Sequence, residues 1–418
     1  MVDKQVDILI IGGGLTGAIL MLALANQGLS CLLVDANQPG ARLSPDFDAR
    51  TLALSPASVR ILQMLNLWPL LQENATAIAH IHVSEKGRFG ITNISSKPEL
   101  PLGYVIEMQQ INRAIERVIN KNHILAPARL KALDKENSLA TISTEEGELA
   151  VQAKLIVAAD GTESALRRMS GLTVKIKDYE QHALVANIGL TRSHQNTAYE
   201  RFTSSGPLAL LPMTEKRSSL VWALSPKEAR RLMILDETSF LRELQKNFGY
   251  RLGRFVRVGR RVIFPLQQLT MPRKIAWPLV FVGNAAHTLH PIAGQGFNLG
   301  LRDVATLAQC ILQEGLNEAM LSRYQQMRLH DEWAITQFTN NLVSIFTSQL
   351  PGMALARNLG LLALDNSAVL KRCLTHYTRG FAGITPDLVC KIQLGASDIS
   401  TLAAEIVLDD RRINEPTS

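Results

Sequence analysis

Four cysteines in 418 residues are too few to staple a chain of this length, and no two have C-x-x-C spacing. Cys31, Cys310, Cys373 and Cys390 are therefore expected to be free thiols in a reducing compartment. No cysteine or histidine pair has zinc-ligand spacing, so no metal is expected. Aromatic residues are scarce as well, at 5%, and none form an RNP-like motif. That argues against nucleic acid as a partner despite a net charge of +7. Long apolar runs are missing too. None reaches the roughly 18 residues a membrane span needs, and the nearest, around 342–364, is broken by Pro351, Gly352 and Arg357. The first residues are not expected to be a secretory signal, because Asp3 and Asp7 stand where a basic region belongs and glycines interrupt the apolar run. There are no internal repeats and no low-complexity segments.

What is present is enough apolar sequence, 46%, to bury a sizeable core. The length implies two domains or one elaborated α/β unit. The mild basic excess suits an anionic cofactor or an acidic membrane surface. Near the N-terminus "VDILII" reads as a buried strand, "GGGLTG" as a turn, "AILMLALANQG" as a helix capped by Gly28, and "LSCLLVDA" as a second buried strand. Strands without alternation, joined by a helix, predict a parallel βαβ unit covered on both faces. "SPASVRILQMLNL" predicts a helix with Ser55 as N-cap and Pro56 at its first position. "INRAIERVIN" predicts another, and 129–161 a β-meander. Between about 180 and 275 short alternating segments predict antiparallel strands with one helix near Glu237–Phe248. "PLVFVGNAAH" returns to the buried-strand pattern, and long helices follow from about 297 to 373.

Gly12, Gly14 and Gly17 form G-x-G-x-x-G between strand and helix, with Thr16 inside the loop. The first glycine permits the tight turn, the second admits a pyrophosphate, and the third lets helix and strand pack closely. Asp35 closes the next strand, where a carboxylate accepts ribose hydroxyls and disfavours a 2′-phosphate. Strand, turn, helix, strand and acid together point to a dinucleotide, with NAD and FAD both open at this point. A second loop, "VGNAAHTLHPIAGQGFNLGLRD" from Val282 to Asp303, is small, tight and apolar at once. That suits a backbone lying against a flat ligand with its N–H groups presented.

"VAADGTESALRR" (Val157–Arg168) and this second loop resemble two motifs of the aromatic-ring flavoprotein monooxygenases, the 4-hydroxybenzoate hydroxylase-like group. "DARTLALS" (Asp48–Ser55) resembles a third. Within the group the chain is most similar to the ubiquinone-biosynthesis hydroxylases, in particular the 2-polyprenyl-6-methoxyphenol hydroxylase branch. The resemblance implies a Rossmann-like α/β FAD-binding domain with an inserted antiparallel-sheet substrate domain and C-terminal helices. The expected division is 1–178 and 276–385 for the FAD-binding parts, 179–275 for the inserted substrate domain and 386–418 for a tail. It further implies that Asp160 and Gly161 border the pyrophosphate and that Arg50 approaches the flavin. Gly283 and Asn284 would hold the ribityl chain, with Asn284 standing where relatives carry aspartate. Pro291, Gly294, Gln295, Gly296 and Asn298 would lie at the flavin ring. Met108 replaces the polar amide of relatives and is not taken as a site residue.

The implied activity is ring hydroxylation of a polyprenylated phenol in ubiquinone biosynthesis, using FAD, NADH or NADPH as transient electron donor, and O2 through a peroxyflavin. No second G-x-G-x-x-G follows a strand, so the nicotinamide is expected to visit without a domain of its own, near Asp160 and Arg167. No catalytic base is legible; His287 and His290, beside the loop, are the candidates. The resemblance also implies a cytoplasmic protein peripheral to the inner membrane, in contact with a quinone-biosynthesis complex. "RLGRFVRVGRR" (Arg251–Arg261) could face anionic lipid or be held within the fold. Two other readings share these motifs: a flavin-dependent isoprenoid reductase or dehydrogenase, and a non-catalytic flavoprotein scaffold.

Overall fold

A computed structural model describes residues 2–38, 50–348, 350, 352–381 and 384–394. Asp48 and residues 395–418 of the expected tail lie outside the described residues. The helices, in order, are α1 (Leu15–Ala23), α2 (Pro56–Met64), α3 (Met108–Val118), α4 (Ala165–Ser170), α5 (Pro226–Met233), α6 (Glu237–Phe248), α7 (Gln295–Glu314), α8 (Glu318–Thr347), α9 (Met353–Asn366) and α10 (Ala368–Thr378).

The first sheet is built around the strand Lys4–Ile11, which pairs in parallel with Gly147–Ala158 on one side and Cys31–Val34 on the other. Leu279–Phe281 extends it in parallel beyond Gly147–Ala158. The strand's period of two sends Ile8 and Ile10 into one core, with α1, α2 and α7, and Leu9 and Ile11 into another, with Val151, Ile156 and Phe281. Both faces are sealed, so the strand shows no alternation. Ala128–Asp134 and Leu139–Thr144 form the expected meander with Gly147–Ala158.

α1 stops earlier than its apolar run suggests. Leu24 is its C-cap, and Asn26 and Gly28 both take left-handed backbone conformations in the turn that follows. Asparagine tolerates that region, so the chain turns before Gly28 is reached. α2 begins as expected, with Ser55 accepting from the Ser58 N–H and Pro56 at the first position.

Among the described residues the second sheet has nine strands and is mostly antiparallel. It contains Lys175–Leu190, Thr197–Thr203, Gly206–Pro212, Arg217–Leu224 and Val262–Thr270. It also takes in His80–Glu85 and Ile91–Ser95 from within the first 178 residues, the former pairing in parallel with Thr197–Thr203. The chain thus enters this sheet early and returns to it later. The outer face is closed by α5 and α6, whose Leu232, Phe240, Leu244 and Phe248 bury Leu184, Ile188, Leu208 and Trp222. A three-stranded sheet, with Gly103–Glu107 between Thr51–Leu54 and Thr76–Ile78, bridges the two larger ones.

Candidate active site

Three glycines, two after Lys4–Ile11 and one in the first turn of α1, are needed by the packing itself. Gly12 has φ 106°, and a Cβ there would run into the backbone of Ala159 and Asp160. A Cβ on Gly13 would strike the Asp35 carboxylate, and one on Gly17 the carbonyl of Gly12. Gly14 is the N-cap of α1 and offers no side-chain cap, so the helix N-terminus keeps N–H donors open to an anion. Asp35 is buried at the end of Cys31–Val34 and accepts from the Asn37 backbone N–H at 2.9 Å. It lines a cleft together with Gly13, Asn37, Asn112 and Glu116. Asn112 and Glu116 come from α3, and nothing in the sequence tied that helix to this cleft.

The second loop reaches the first. Gly283 has φ 56°, and a Cβ there would lie 3.0 Å from the Thr16 side chain. Gly300 of α7 closes on the same point, its Cβ position 3.2 Å from the Gly283 Cα. Thr16, Gly283 and Gly300 therefore touch although they are far apart in sequence. Asn284 is exposed beside them. Asp160 caps α4, its Oδ2 accepting from the N–H groups of Ala165 and Leu166 at 2.7 and 3.2 Å. Gly161 follows it with φ 80° and open space at its Cβ position. Arg167 is buried rather than solvated, donating to the carbonyls of Ala285 and Thr162.

Farther along, Pro291 precedes a short turn at Ile292–Gly294, and α7 starts at Gln295, two residues before the expected Phe297. Gly294 is left-handed, φ 60°, with its Cβ position 2.9 Å from Ala53. It is also an N-cap without a side chain to close the helix end. Gln295 is buried. Arg50 is exposed at the start of Thr51–Leu54, and its carbonyl accepts from the Met108 N–H at 2.8 Å.

Residues 5–339 match the FAD binding domain family. The chain is 35% identical to ubiquinone hydroxylase UbiL of Rhodospirillum rubrum, over 92% of each. It is 31% identical to the 3-demethoxyubiquinol 3-hydroxylase of Escherichia coli, over 91% of this chain and 100% of that one. The fold superposes on p-nitrophenol 4-monooxygenase PnpA from Pseudomonas putida with a TM-score of 0.74, over 91% of this chain and 99% of that chain, at 16% identity. The chain belongs to the FAD-binding family of flavoprotein hydroxylases. At 16% identity the structural likeness speaks for the fold alone.

The residues fit the flavin dinucleotide of this family. The informative position is Gly296, which has an ordinary helical conformation and open space where a Cβ would stand. Among the described residues neither the backbone nor the packing requires glycine there, and the open space leaves room for a bound group beside the start of α7. The uncapped N-termini of α1 and α7 match an anionic pyrophosphate and an electron-rich ring edge.

Asn298 takes a different role from the contact expected of it. Its Oδ1 accepts from the Ser55 N–H (2.8 Å) and the Ser58 hydroxyl (2.7 Å). Its Nδ2 donates to the carbonyls of Ala53 and Gly294, each at 2.8 Å. All four hydrogen-bonding positions of the amide are taken, so it clasps α2, the strand before it and the loop together.

The two histidines are held by the fold. His287 Nε2 lies 2.6 Å from Asp303 Oδ2, which also accepts from the Gly283 N–H at 2.9 Å. Asp303 Oδ1 accepts from Arg328 Nε at 2.7 Å, and Asp331 accepts from both Arg302 and Arg328. Burial works against ionisation of Asp303, but His287 and Arg328 outweigh it and hold the carboxyl far below its usual range. His287, Asp303 and Glu332 are close enough together to resemble a metal site; Arg328 and Lys274 already occupy the carboxylates. His290 is buried against Tyr179, ring centroids 5.0 Å apart, and burial pushes it down to about 4. The sequence did carry a signal for this network, an adjacent Arg302 and Asp303 within the apolar stretch Leu299–Val304 of α7.

Proposed function

We propose that one FAD molecule lies along the two glycine turns. Gly12, Gly14 and Gly17, with the N-terminus of α1, hold the pyrophosphate, and Asp35 accepts from the adenosine ribose. Asp160 and Gly161 border the phosphates. Thr16, Gly283 and Asn284 carry the ribityl chain. Pro291, Gly294, Gln295 and Gly296 lie along the ring, Arg50 approaches it, and Asn298 fixes the loop that presents it.

The protein is an FAD-dependent aromatic hydroxylase of ubiquinone biosynthesis, acting on the ring of a polyprenylated phenol. One oxygen atom of O2 enters the ring, and the other leaves as water with two electrons from NADH or NADPH. FAD, when bound, supplies the electron transfer and oxygen activation. The chain's own tasks are to hold the ring of the substrate against the 291–296 loop, keep water out, and accept the proton that the phenol gives up. The observation that carries this reading is the contact of Thr16, Gly283 and Gly300, which makes one continuous cradle out of two distant motifs.

No helix among the described residues is long and apolar enough to cross a membrane. A polyprenyl tail must still be delivered from lipid or from a lipid-carrying assembly of biosynthetic enzymes. The exposed Leu355, Leu359, Val369 and Leu370 of α9 and α10 suit that delivery better than the arginine-rich segment. There, Arg261 donates to the carbonyls of Leu232 and Leu235 and stacks on Phe240. The deciding experiment is growth of a strain lacking the enzyme with and without this chain, with the accumulated quinone precursor identified by mass. Rescue with loss of a precursor one oxygen short is expected. Oxidation of NAD(P)H without any hydroxylated product in the purified protein would overturn the reading.

A further inference from the structure

The inner face of the second sheet is not sealed as its outer face is. One row of side chains crosses five strands in register: Val83, Glu200, Ala209, Val221 and Val185. Every member is only half-buried, although the row runs through the middle of the sheet. Four are apolar and the fifth is a carboxylate.

The strand's alternation fixes where Glu200 points. Tyr199 and Arg201 face α6, through the Phe248 ring and the Asn247 carbonyl. Ala198 and Phe202 face the other way: Ala198 packs with Ile78, Val105 and Met213, and Phe202 with Ile292 and Val343. Glu200 stands between them on the inner face. It thus lies between the three-stranded sheet and the Ile292 turn that begins the 291–296 loop. Among the described residues it has no hydrogen-bond or ion-pair partner.

We infer that Glu200 is the general base of the hydroxylation, taking the proton of the substrate phenol. This rests on the function proposed above. The phenol O–H bond breaks, the proton passes to a Glu200 carboxylate oxygen, and the electron pair stays on the phenol oxygen, enriching the ring carbons to be oxidised. O2 and NAD(P)H supply the oxygen atom and the electrons, the ring carbon that gains the oxygen releases its hydrogen as a proton to solvent, and Glu200 returns its own proton to the phenol oxygen as the ring becomes aromatic again. The apolar row beside it receives the rest of the ring and the start of the tail.

The surroundings suit a base. Burial pushes the carboxyl up to about 7, near the pH at which it must act. Of the other charged groups on this face, Arg217 is bound to Glu107, and Glu85, two residues from Val83, is bound to Arg357 of α9. Tyr179, which packs beside Phe202, donates its hydroxyl to Asn340 and is pushed up to about 12 by burial. His290, edge-to-face with Tyr179, is pushed down to about 4 by burial.

The test uses the FAD-loaded full chain with an ortho-prenylated phenol carrying a short, soluble tail. Wild-type hydroxylation is expected to rise with pH through about 7. Glu200→Gln is expected to keep its FAD but form product roughly 100-fold more slowly, without that pH limb. Glu200→Asp should retain the limb at a shifted position. A measurement that needs no turnover is the near-ultraviolet phenolate band of the bound phenol, expected in wild type above the limb and absent in Glu200→Gln. An active wild type with an unchanged Glu200→Gln rate and limb overturns the assignment alone. So does an active wild type whose bound phenol gives no phenolate band at any pH, even if Glu200→Gln fails to fold. A wild type that hydroxylates no such phenol overturns the function and this assignment together.

Discussion

Gly296 and Asn298 are two residues apart and answer to different demands. Glycine at 296 costs the first turn of α7 up to about 1 kcal/mol relative to alanine, and among the described residues nothing fills the space its Cβ would take. The bare chain should therefore tolerate a side chain there while the flavin does not. Gly296→Ala is expected to melt slightly higher than wild type without FAD, and Gly296→Val to fold but purify colourless; a Gly296→Val protein that keeps full flavin absorbance would contradict the placement. Asn298→Ala should behave oppositely. It strips partners from the Ser55 N–H, the Ser58 hydroxyl and two carbonyls, and should cost about 2–4 kcal/mol whether or not FAD is present, read by denaturant unfolding. Glu200 gives a third signature. Its folded pKa is raised to about 7, so its charged form lowers stability as pH climbs above the unfolded value, by as much as about 3 kcal/mol at pH well above 7. Glu200→Gln should gain melting temperature at alkaline pH and little at acidic pH, where wild type is neutral too.

At the scale of elements, the parts with strong local signals were legible in the sequence. The buried strands, the Ser55–Pro56 helix start, the meander and α6 all follow from periodicity, capping and turn residues. What was not legible depended on contacts across the chain. His80–Ser95 reads locally as a pair of strands anywhere, and its place in the second sheet comes from pairing with Thr197–Thr203. α5 is polar and short, and only its Ser225 cap and Pro226 mark it. Asn298 looks like a ligand residue from its motif because the motif does not reveal that α2 absorbs its amide. Glu200 is a charge on an apolar-face position of "TAYERFT", a signal that alternation could have raised. The contact between α7 and the Gly283 turn can be tested directly. Gly300→Val would force its side chain against Gly283 and Thr16, where even a Cβ sits 3.2 Å from the Gly283 Cα. FAD affinity, followed by flavin fluorescence quenching, is expected to fall at least about tenfold, equivalent to about 1.4 kcal/mol, together with a lower melting temperature. Unchanged affinity would mean the two turns do not need to meet.

For the whole molecule, the buried charges around Asp303 hold the architecture in register. Arg302 and Asp303 come from α7, Arg328 and Asp331 from α8, and His287 and the Gly283 N–H from the second loop. Lys274 adds the segment that leads into Leu279–Phe281; burial draws it down to about 7, and it pairs with Glu332 of α8. Burying so many charges gains little net stability over an apolar core, but removing one partner leaves another uncompensated. The arrangement therefore selects a single seating of α7 and α8 against the second glycine loop. Asp303→Asn preserves the shape and removes the charge facing Arg328, so it should cost about 3–5 kcal/mol at neutral pH. The pH dependence gives a sharper test than the loss itself. The folded Asp303 carboxyl lies far below its usual range, so its contribution is complete above an unfolded pKa of roughly 3.9 and drains away as pH falls below that. Melting temperatures of wild type and Asp303→Asn should be well separated at neutral pH and converge as the solution is acidified below about pH 4. A gap that stays constant down to the acid limit would mean that Asp303 acts through shape alone and that its charge does not hold the helices to the loop.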